Sequence, residues 1–408
     1  MAVEQGINKQ IAFAKQTVLG TTIAGAGGFV RRRVTGGFNL ETDSYDNNEI
    51  VAHQQSTGAT YGLKKGSGKI SGLLSPATYK YEFQSVLRKD FVAGATTGAI
   101  ITVTAASTSG VQGTFTRSSG SYLTDGFKIG DIVRLTGWAG GSATNNNSVN
   151  MMIIALTALV MTVTRFDTTA IVADAAGDSV TCTIVGKKTL APLTAHTNDY
   201  YTVEEWYPGN TKSELFGDVQ PAKIDLGLPA TGNATIAIDY VALSRVLGTS
   251  RVLTSPTAET TTPVLGAVNG VIWINGAAYP ITGAQITIDG STALGEAEVG
   301  NNAISDTQRG RIKVSGSFTA LFKDSVIQTL YQNQTVTSIV LVVFDSKTLA
   351  TSQFIAFSLG RVKVFGDAAD DGEKQIVRTY PFTAELNSAG GTALANDQTI
   401  MSVQDSDA

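Results

Sequence analysis

Short runs in which apolar and polar residues alternate, rich in Val, Ile, Thr and aromatics, recur along the chain between clusters of Gly, Asn, Asp and Ser. A period of two marks strands with one buried face, so the pattern predicts a mainly β protein of α+β class. Strands are expected over 69–74, 200–206, 235–241, 285–288, 311–318, 339–344, 354–365 and 376–385. A helical period appears twice. In 78–89, Tyr79, Phe83, Val86 and Leu87 share a face, and in 321–332 Phe322, Val326, Ile327, Leu330 and Tyr331 do. The most apolar stretch, 149–163, is too short for a membrane-spanning helix and is read as two buried strands.

The two helices have matching surroundings. Lys69-Ile70-Ser71-Gly72 aligns with Lys313-Val314-Ser315-Gly316, and the same offset of 244 places Phe83, Gln84, Val86 and Leu87 on Ile327, Gln328, Leu330 and Tyr331. Upstream, Asn47, Asn48, Ile50 and Gln54 fall on Asn301, Asn302, Ile304 and Gln308 at an offset of 254, so the first copy carries ten extra residues near 56–67. Downstream, 216–243 resembles 357–386, with Phe216-Gly217-Asp218 and Phe365-Gly366-Asp367 read as glycine-marked turns. The large offset is explained by roughly 95 residues inserted after the first helix, leaving a repeat of roughly 150 residues, an ordinary domain size.

The expected organisation is therefore a first module from 1–93 and 191–247, an inserted domain over 94–190, a linker over 248–263, a second module over 264–390 and a polar C-terminal tail over 391–408. Linker and tail are expected to pack poorly unless a partner holds them. Within the insert, Asp125-Gly126-Phe127-Lys128-Ile129-Gly130-Asp131 leads into an alternating run through Leu135, which predicts a small β-barrel.

Charge narrows the chemistry. Thirty-four acidic residues against 30 basic ones give a net charge of −4, which argues against a surface that grips phosphate over long stretches. Cys182 is the single cysteine, so neither an internal disulfide nor a cysteine-based zinc site is available, as suits a reducing cytoplasm. His53 and His196 are the two histidines; His53 falls on Thr307 in the other copy, and His196 reads as a loop residue. The first 16 residues lack the basic start, apolar run and cleavage site of a secretory signal.

Ala24-Gly25-Ala26-Gly27-Gly28 lacks the third glycine and the following helix of a dinucleotide loop, and reads as a flexible joint. Asp367, Asp370, Asp371 and Glu373 miss the spacing of a calcium loop. Glu204 and Glu205, adjacent on a strand, point to opposite faces and cannot form a glycosidase pair by themselves. Arg31-Arg32-Arg33 reads as a solvated run or a contact with a neighbouring subunit's carboxylates. No catalytic, cofactor-binding or metal-binding residue is assigned.

Several segments, in order, resemble the tail tube proteins of long-tailed, non-contractile bacteriophages. They are the strand and turn from Ile11 through Gly20-Thr21, then Asp43-Ser44-Tyr45, Asn48-Glu49-Ile50, Ser71-Gly72 and the first helix, followed by Phe127-Lys128-Ile129-Gly130-Asp131 and Asn145-Asn146-Asn147, which look like that family's extra domain. Val51-Ala52-His53 stands where the family has basic and acidic residues.

The resemblance implies two tail-tube β-sandwich modules, each with one helix, in a non-enzymatic subunit of stacked rings. Six modules of four strands make about 24 strands, and at ~4.8 Å spacing and ~40° tilt the circumference is about 150 Å, wide enough for duplex DNA. Two modules per chain imply a trimeric ring with pseudo-sixfold symmetry, with a hexamer using one module per chain as the other stoichiometry. Arg31, Arg32, Arg33, Thr57, Tyr61, Lys64 and Lys65 are the ring-stacking and interface candidates, with the C-terminal tail beside them. The partners implied are further copies of the chain, the tape-measure protein and genomic DNA in the lumen without sequence-specific binding, and tail terminator and distal tail proteins. No membrane and no cofactor is implied. The location implied is the virion tail, after synthesis in the host bacterial cytoplasm. A glycan-binding or glycan-cleaving virion surface protein is the alternative reading, and a capsid decoration or terminator protein a third.

Overall fold

The computed structural model describes residues 3–53, 55–370, 372 and 375–408, so Gln54, Asp371 and Glu373 lie outside the described residues. The fold is mainly β, as the alternation predicts. The chain lays down β1 (Gln10–Lys15), β2 (Gly25–Val30), β3 (Thr35–Asp46), β4 (Ala59–Leu73), α1 (Lys80–Leu87) and the short β5 (Val92–Ala93). A second unit follows, with β6 (Thr104–Ser109), β7 (Gln112–Thr116), α2 (Tyr122–Asp125), β8 (Ile132–Thr136), α3 (Ala143–Asn146), β9 (Met151–Leu156), β10 (Val160–Arg165) and β11 (Thr181–Ile184). The chain returns through β12 (Lys187–Leu190), β13 (Tyr201–Tyr207), β14 (Lys212–Leu228), β15 (Thr235–Ala242) and β16 (Ser244–Gly248). β17 (Leu253–Thr257), β18 (Gly270–Ile274) and β19 (Ala277–Tyr279) lead to β20 (Ile281–Asp289), β21 (Thr292–Leu294), β22 (Thr307–Arg309), β23 (Lys313–Leu321) and α4 (Val326–Gln332). The chain ends with β24 (Thr337–Phe344), β25 (Phe354–Val364), β26 (Ala368–Asp370), β27 (Val377–Ala384) and β28 (Ser402–Asp405).

Eight of these strands form one antiparallel run in the order β3-β4-β15-β14-β20-β23-β27-β25. Its first four and last four strands follow the same path. In each, two strands pair, a helix follows, and the later strands return so that the last in sequence lies inside and the one before it lies outside. Ser71 sits between Thr35 and Ala237 where Ser315 sits between Thr287 and Thr383.

Alternation then sets the faces. Ile70, Ile238, Ile224, Ile288 and Val314 stand side by side across five strands, all with no exposure, and β-branched side chains suit that crowded pleat. β14 starts between β13 and β16 and ends between β15 and β20, so one long strand carries the chain from one sheet of the core into the other. β25 does the same, between β24 and β28 and then beside β27. On the core side α1 buries Phe83, Val86 and Leu87. It stops at Arg88, whose left-handed φ of 63° turns its N–H onto the Gln84 carbonyl.

The second unit is a six-stranded sheet, β11-β8-β9-β10-β7-β6. Backbone bonds between 95–105 and 174–184 close it into a small barrel around Phe115, Phe127, Met151 and Val163. The apolar stretch at 149–163 supplies two of its strands, β9 and β10. The barrel rests on the outer surface of β18, β24 and β25, where Ile132, Met152 and Val185 meet Trp273, Val342, Phe344 and Phe354.

Four local expectations are corrected. The C-terminal tail packs within its own chain. β28 is a strand between β12 and β25, Met401 and Val403 are fully buried, and the Gln404 amide bonds the Ile132 N–H, the Ile132 carbonyl and the Val185 carbonyl. The tail is thus a clamp between barrel and sandwich, held further by Lys188 paired with Asp131 and Asp397. The 248–263 segment is also seated, since β17 pairs in parallel with β2, Leu253 is fully buried and Arg32 bonds the Thr262 carbonyl at 2.7 Å. Phe216-Gly217-Asp218 is part of β14 and not a turn. Finally, residues 25–28 form strand β2, not a joint. A side chain on Gly28, at φ +80°, would strike the Phe13 carbonyl at 2.6 Å.

Candidate functional site

The face of the eight-strand run opposite the isoleucine row carries short polar and charged side chains. One row reads Thr35, Ser71, Ala237, Asp225, Thr287, Ser315, Thr383, Lys363. The next reads Gly37, Lys69, Asp239, Lys223, Asp289, Lys313, and continues to Glu385 and Arg361. Charge alternates strand by strand along that second row. Lys69 meets Asp239 at 3.4 Å, Arg361 and Lys363 meet Glu385 at 3.1 and 2.8 Å, and Asp225 pairs with Lys223 at 2.8 Å and accepts from Thr287. These pairs are partly exposed and add little to stability. What they do is cancel, since opposite charges a few ångströms apart leave little field at a distance.

The run has a joint in its middle and an edge at each end. In the joint, six residues of β14, Lys223 through Leu228, pair with Asp289 through Ala284 of β20, and the Gly290 N–H reaches the Ala222 carbonyl at 2.9 Å. At one end β3 pairs only with β4 among the described residues. Part of that edge is covered by side chains. Glu205 accepts the Phe38 N–H at 2.8 Å, and Lys9, ion-paired with Glu205 at 2.7 Å, approaches the Gly36 carbonyl. Unpaired strand edges recruit other strands unless they are guarded. At the other end β25 is flanked by β24 only as far as Val362, and Phe365 just beyond is 58% exposed.

The interface candidates divide. Arg31 is corrected, because it is buried, ion-paired with Glu82 at 2.6 Å and enclosed by the rings of Phe13, Phe29 and Tyr79. Burial pushes the Glu82 carboxyl up, and Arg31 and the Tyr240 hydroxyl pull it back. Arg32 and Arg33 are spent on the carbonyls of Thr262 and Lys9. Thr57, Tyr61, Lys64 and Lys65 are exposed on the long β3–β4 hairpin, with Lys65 paired to Asp43 at 2.8 Å.

Among the repeat-defining residues, Asn47, Asn48 and Ile50 lie in the β3–β4 loop, and Asn301, Asn302, Ile304 and Gln308 lie in the β20–β23 connection. Ser71, Gly72, Ser315 and Gly316 lie on β4 and β23. Phe83 and Leu87 on α1 are buried, as is Ile327 on α4, whereas Tyr331 is 40% exposed.

The carboxylates weighed for glycan and calcium chemistry that the structure describes here are tied into the fold. Glu204 accepts from Ser213 and from the N–H groups of Val252 and Leu253. Glu205 holds Lys9, Phe38 and Tyr207. Asp367 is paired with Arg378 at 2.6 Å. His53 and His196 are exposed loop residues. Among the described residues no group of three or more His, Cys, Asp or Glu converges, and no helix is long and apolar enough to cross a membrane.

The charge row and the β14·β20 joint were missed from sequence because each member sits on a different strand. The Ser71/Ser315 equivalence was the signal that leads to both. No curated protein matches the chain. Residues 6–384 match the family model described as phage tail tube protein, and with nearly the whole length covered the chain belongs to that family.

Proposed function

We propose that the chain is a ring-forming subunit of the tail tube, with its two similar halves side by side in the wall and three chains closing a ring of six. The observation that carries this reading is the β14·β20 joint, which already fuses two four-stranded units into one eight-stranded run that ends, among the described residues, in the β3 edge at one side and in the short free end of β25 beyond Val362 at the other. Joining edge to edge removes those edges when the ring closes. Three such runs give about 24 strands and, at ~40° tilt, a barrel roughly 48 Å across before side chains.

The open face then lines the lumen. Its charged row carries four bases, Lys69, Lys223, Lys313 and Arg361, against three acids, Asp239, Asp289 and Glu385, interleaved. A wall of alternating charge gives DNA no continuous positive track to adhere to, so the genome and the tape-measure protein pass without being held. The barrel, seated on the far side of the core from that face, stands outside the tube.

Ring-to-ring contact falls to the β3–β4 hairpin with Tyr61, 88% exposed, and to the N-terminal arm, where Val3 and Ile7 are bare. Terminator and distal tail proteins meet the same surfaces at the tube ends. Electron microscopy of the purified chain under assembly conditions tests the reading. Stacked hollow rings are expected, and monodisperse single chains under every condition contradict it.

A further inference from the structure

We infer that α4, together with the end of β25, is the docking surface for the β3 edge of a second copy of this chain, in the register with which β14 holds β20. The inference rests on the tube-subunit reading and adds which residues meet.

The register follows by superposing the two halves on their ladders. Ala237, opposite Ser71, corresponds to Thr383, opposite Ser315; Asp225, opposite Ala237, therefore corresponds to Lys363, and Thr35 to Thr287. Asp225 pairs with Thr287 across the internal joint, so Lys363 pairs with Thr35 of the neighbouring copy, and Val364 with its Val34. Val362 already has Thr337 beside it, so this ladder starts at Lys363. The β3 side closes the same end, since the Phe38 N–H is held by Glu205 where its counterpart Gly290 is held by Ala222, so the ladder runs the other way, from Lys363 with Thr35 to Val364 with Val34. The external joint is thus shorter than the internal one.

Burial marks the same surface. Val34 is 65% exposed where its counterpart Ile286 is 2% exposed. α1 straddles the internal joint. Its Phe83 lies 5.8 Å from the Phe357 ring of the second half, and Arg88 reaches the carbonyls of Gly290 and Gly310 at 2.8 and 2.6 Å. Among the described residues no strand lies across from α4, and Val326 and Tyr331, counterparts of buried Glu82 and Leu87, are 45% and 40% exposed. Phe322 and Ile376, 43% and 45% exposed and joined by a backbone bond at 3.0 Å, add further apolar surface. An uncovered apolar patch beside an open strand end is what a second β3 edge would cover.

Paired cysteines read the register directly, because directly opposed residues of an antiparallel pair stand about 4.5–5.5 Å apart at Cα, within disulfide reach. Thr35→Cys combined with Lys363→Cys, assembled and mildly oxidised, is expected to give covalent oligomers on denaturing gels. Asn39→Cys with Lys363→Cys gives none. Mixing the two single variants gives covalent dimers only. Tyr331→Asp is expected to slow tube formation at least tenfold while the free chain keeps its melting temperature. Tubes that form without the Thr35–Lys363 cross-link, or with the Asn39–Lys363 one, or at the parental rate with Tyr331→Asp, overturn the docking surface and leave the tube reading standing. A parental chain that never forms tubes removes the reading itself.

Discussion

Helices α1 and α4 occupy the same place in the same strand path, and one is sealed while the other is bare. α1 lies over a joint, with Leu87 fully buried and Glu82 locked to Arg31; α4 lies beside an end, with Tyr331 and Val326 in solvent. Helix periodicity is alike in both, so it does not decide exposure. What decides it is whether a further strand pair lies alongside: α1 has β20 there, and among the described residues α4 has no strand in that place.

The comparison is broken most sharply at the buried ion pair. Arg31→Met leaves the Glu82 carboxylate without its cation and is expected to cost about 3–5 kcal/mol. Glu82→Val, which installs the residue found at the matching place in α4, strands Arg31 and costs a similar amount. The double variant recovers most of the loss, and urea unfolding of all three reads the difference. A double variant as unstable as either single change would show that the pair does more than satisfy itself.

Next comes the apolar face. Leu87→Ala is expected to destabilise the free chain by about 2–5 kcal/mol, and Tyr331→Ala by less than about 1 kcal/mol. In assembled tubes the gap narrows, because the neighbouring copy covers Tyr331. Thermal melts of free chain and tubes, compared variant by variant, check this.

A third test concerns the clamp at the base of α1. Asp405 accepts the N–H groups of Ala77 and Asp407 at 2.8 and 2.9 Å; burial pushes its carboxyl up to about 6, those two bonds and Lys80 oppose the rise, and the Asp407 charge adds to it. A carboxyl that holds its proton more tightly when folded contributes stability that is full below the ordinary value and lost as pH rises through about 6. Stability is therefore expected to rise by about 1.3 kcal/mol as pH falls from 7 to 5, with a matching rise in melting temperature; the full effect of about 3 kcal/mol is reached only below the ordinary carboxylate value. Asp405→Asn flattens that rise. Glu385, held low by Lys363 and Arg361, acts in the opposite sense and only below the ordinary carboxylate range.

The smallest effect on the free chain belongs to the hairpin. Replacing 46–59 with a two-residue turn removes exposed loop and changes unfolding free energy by less than about 0.5 kcal/mol. Tube length measured by electron microscopy is expected to fall severalfold. Deleting the whole of 56–67 is a poorer experiment, since Gly66 and Ser67 pair with Ala242 and Val241 inside the sheet.

Strands and helices were legible because their signal is local, with a period of two at 235–241 and of 3.6 in 321–332, although the helix there begins only at Val326 and Leu321 still belongs to β23. The equivalence of Ser71-Gly72 with Ser315-Gly316 was legible too, because both stretches meet the same cross-strand demands. Packing that depends on distant segments was not legible. Three consecutive arginines read as a surface run, yet Arg31 faces a carboxylate 51 positions away and three aromatic rings. The polar tail read as loose, yet Gln404 and Asp405 are buried because the barrel and the loop before α1 supply bonding groups that composition does not reveal. Seven alternating charges, each from a different stretch of chain, form a row only once the register is known.

The mass of a single ring tests the central claim most directly. Side-by-side halves joined as β14 joins β20 predict three chains per ring. Six equivalent chains in each ring would contradict it, because only one half of every chain could then stand in the wall.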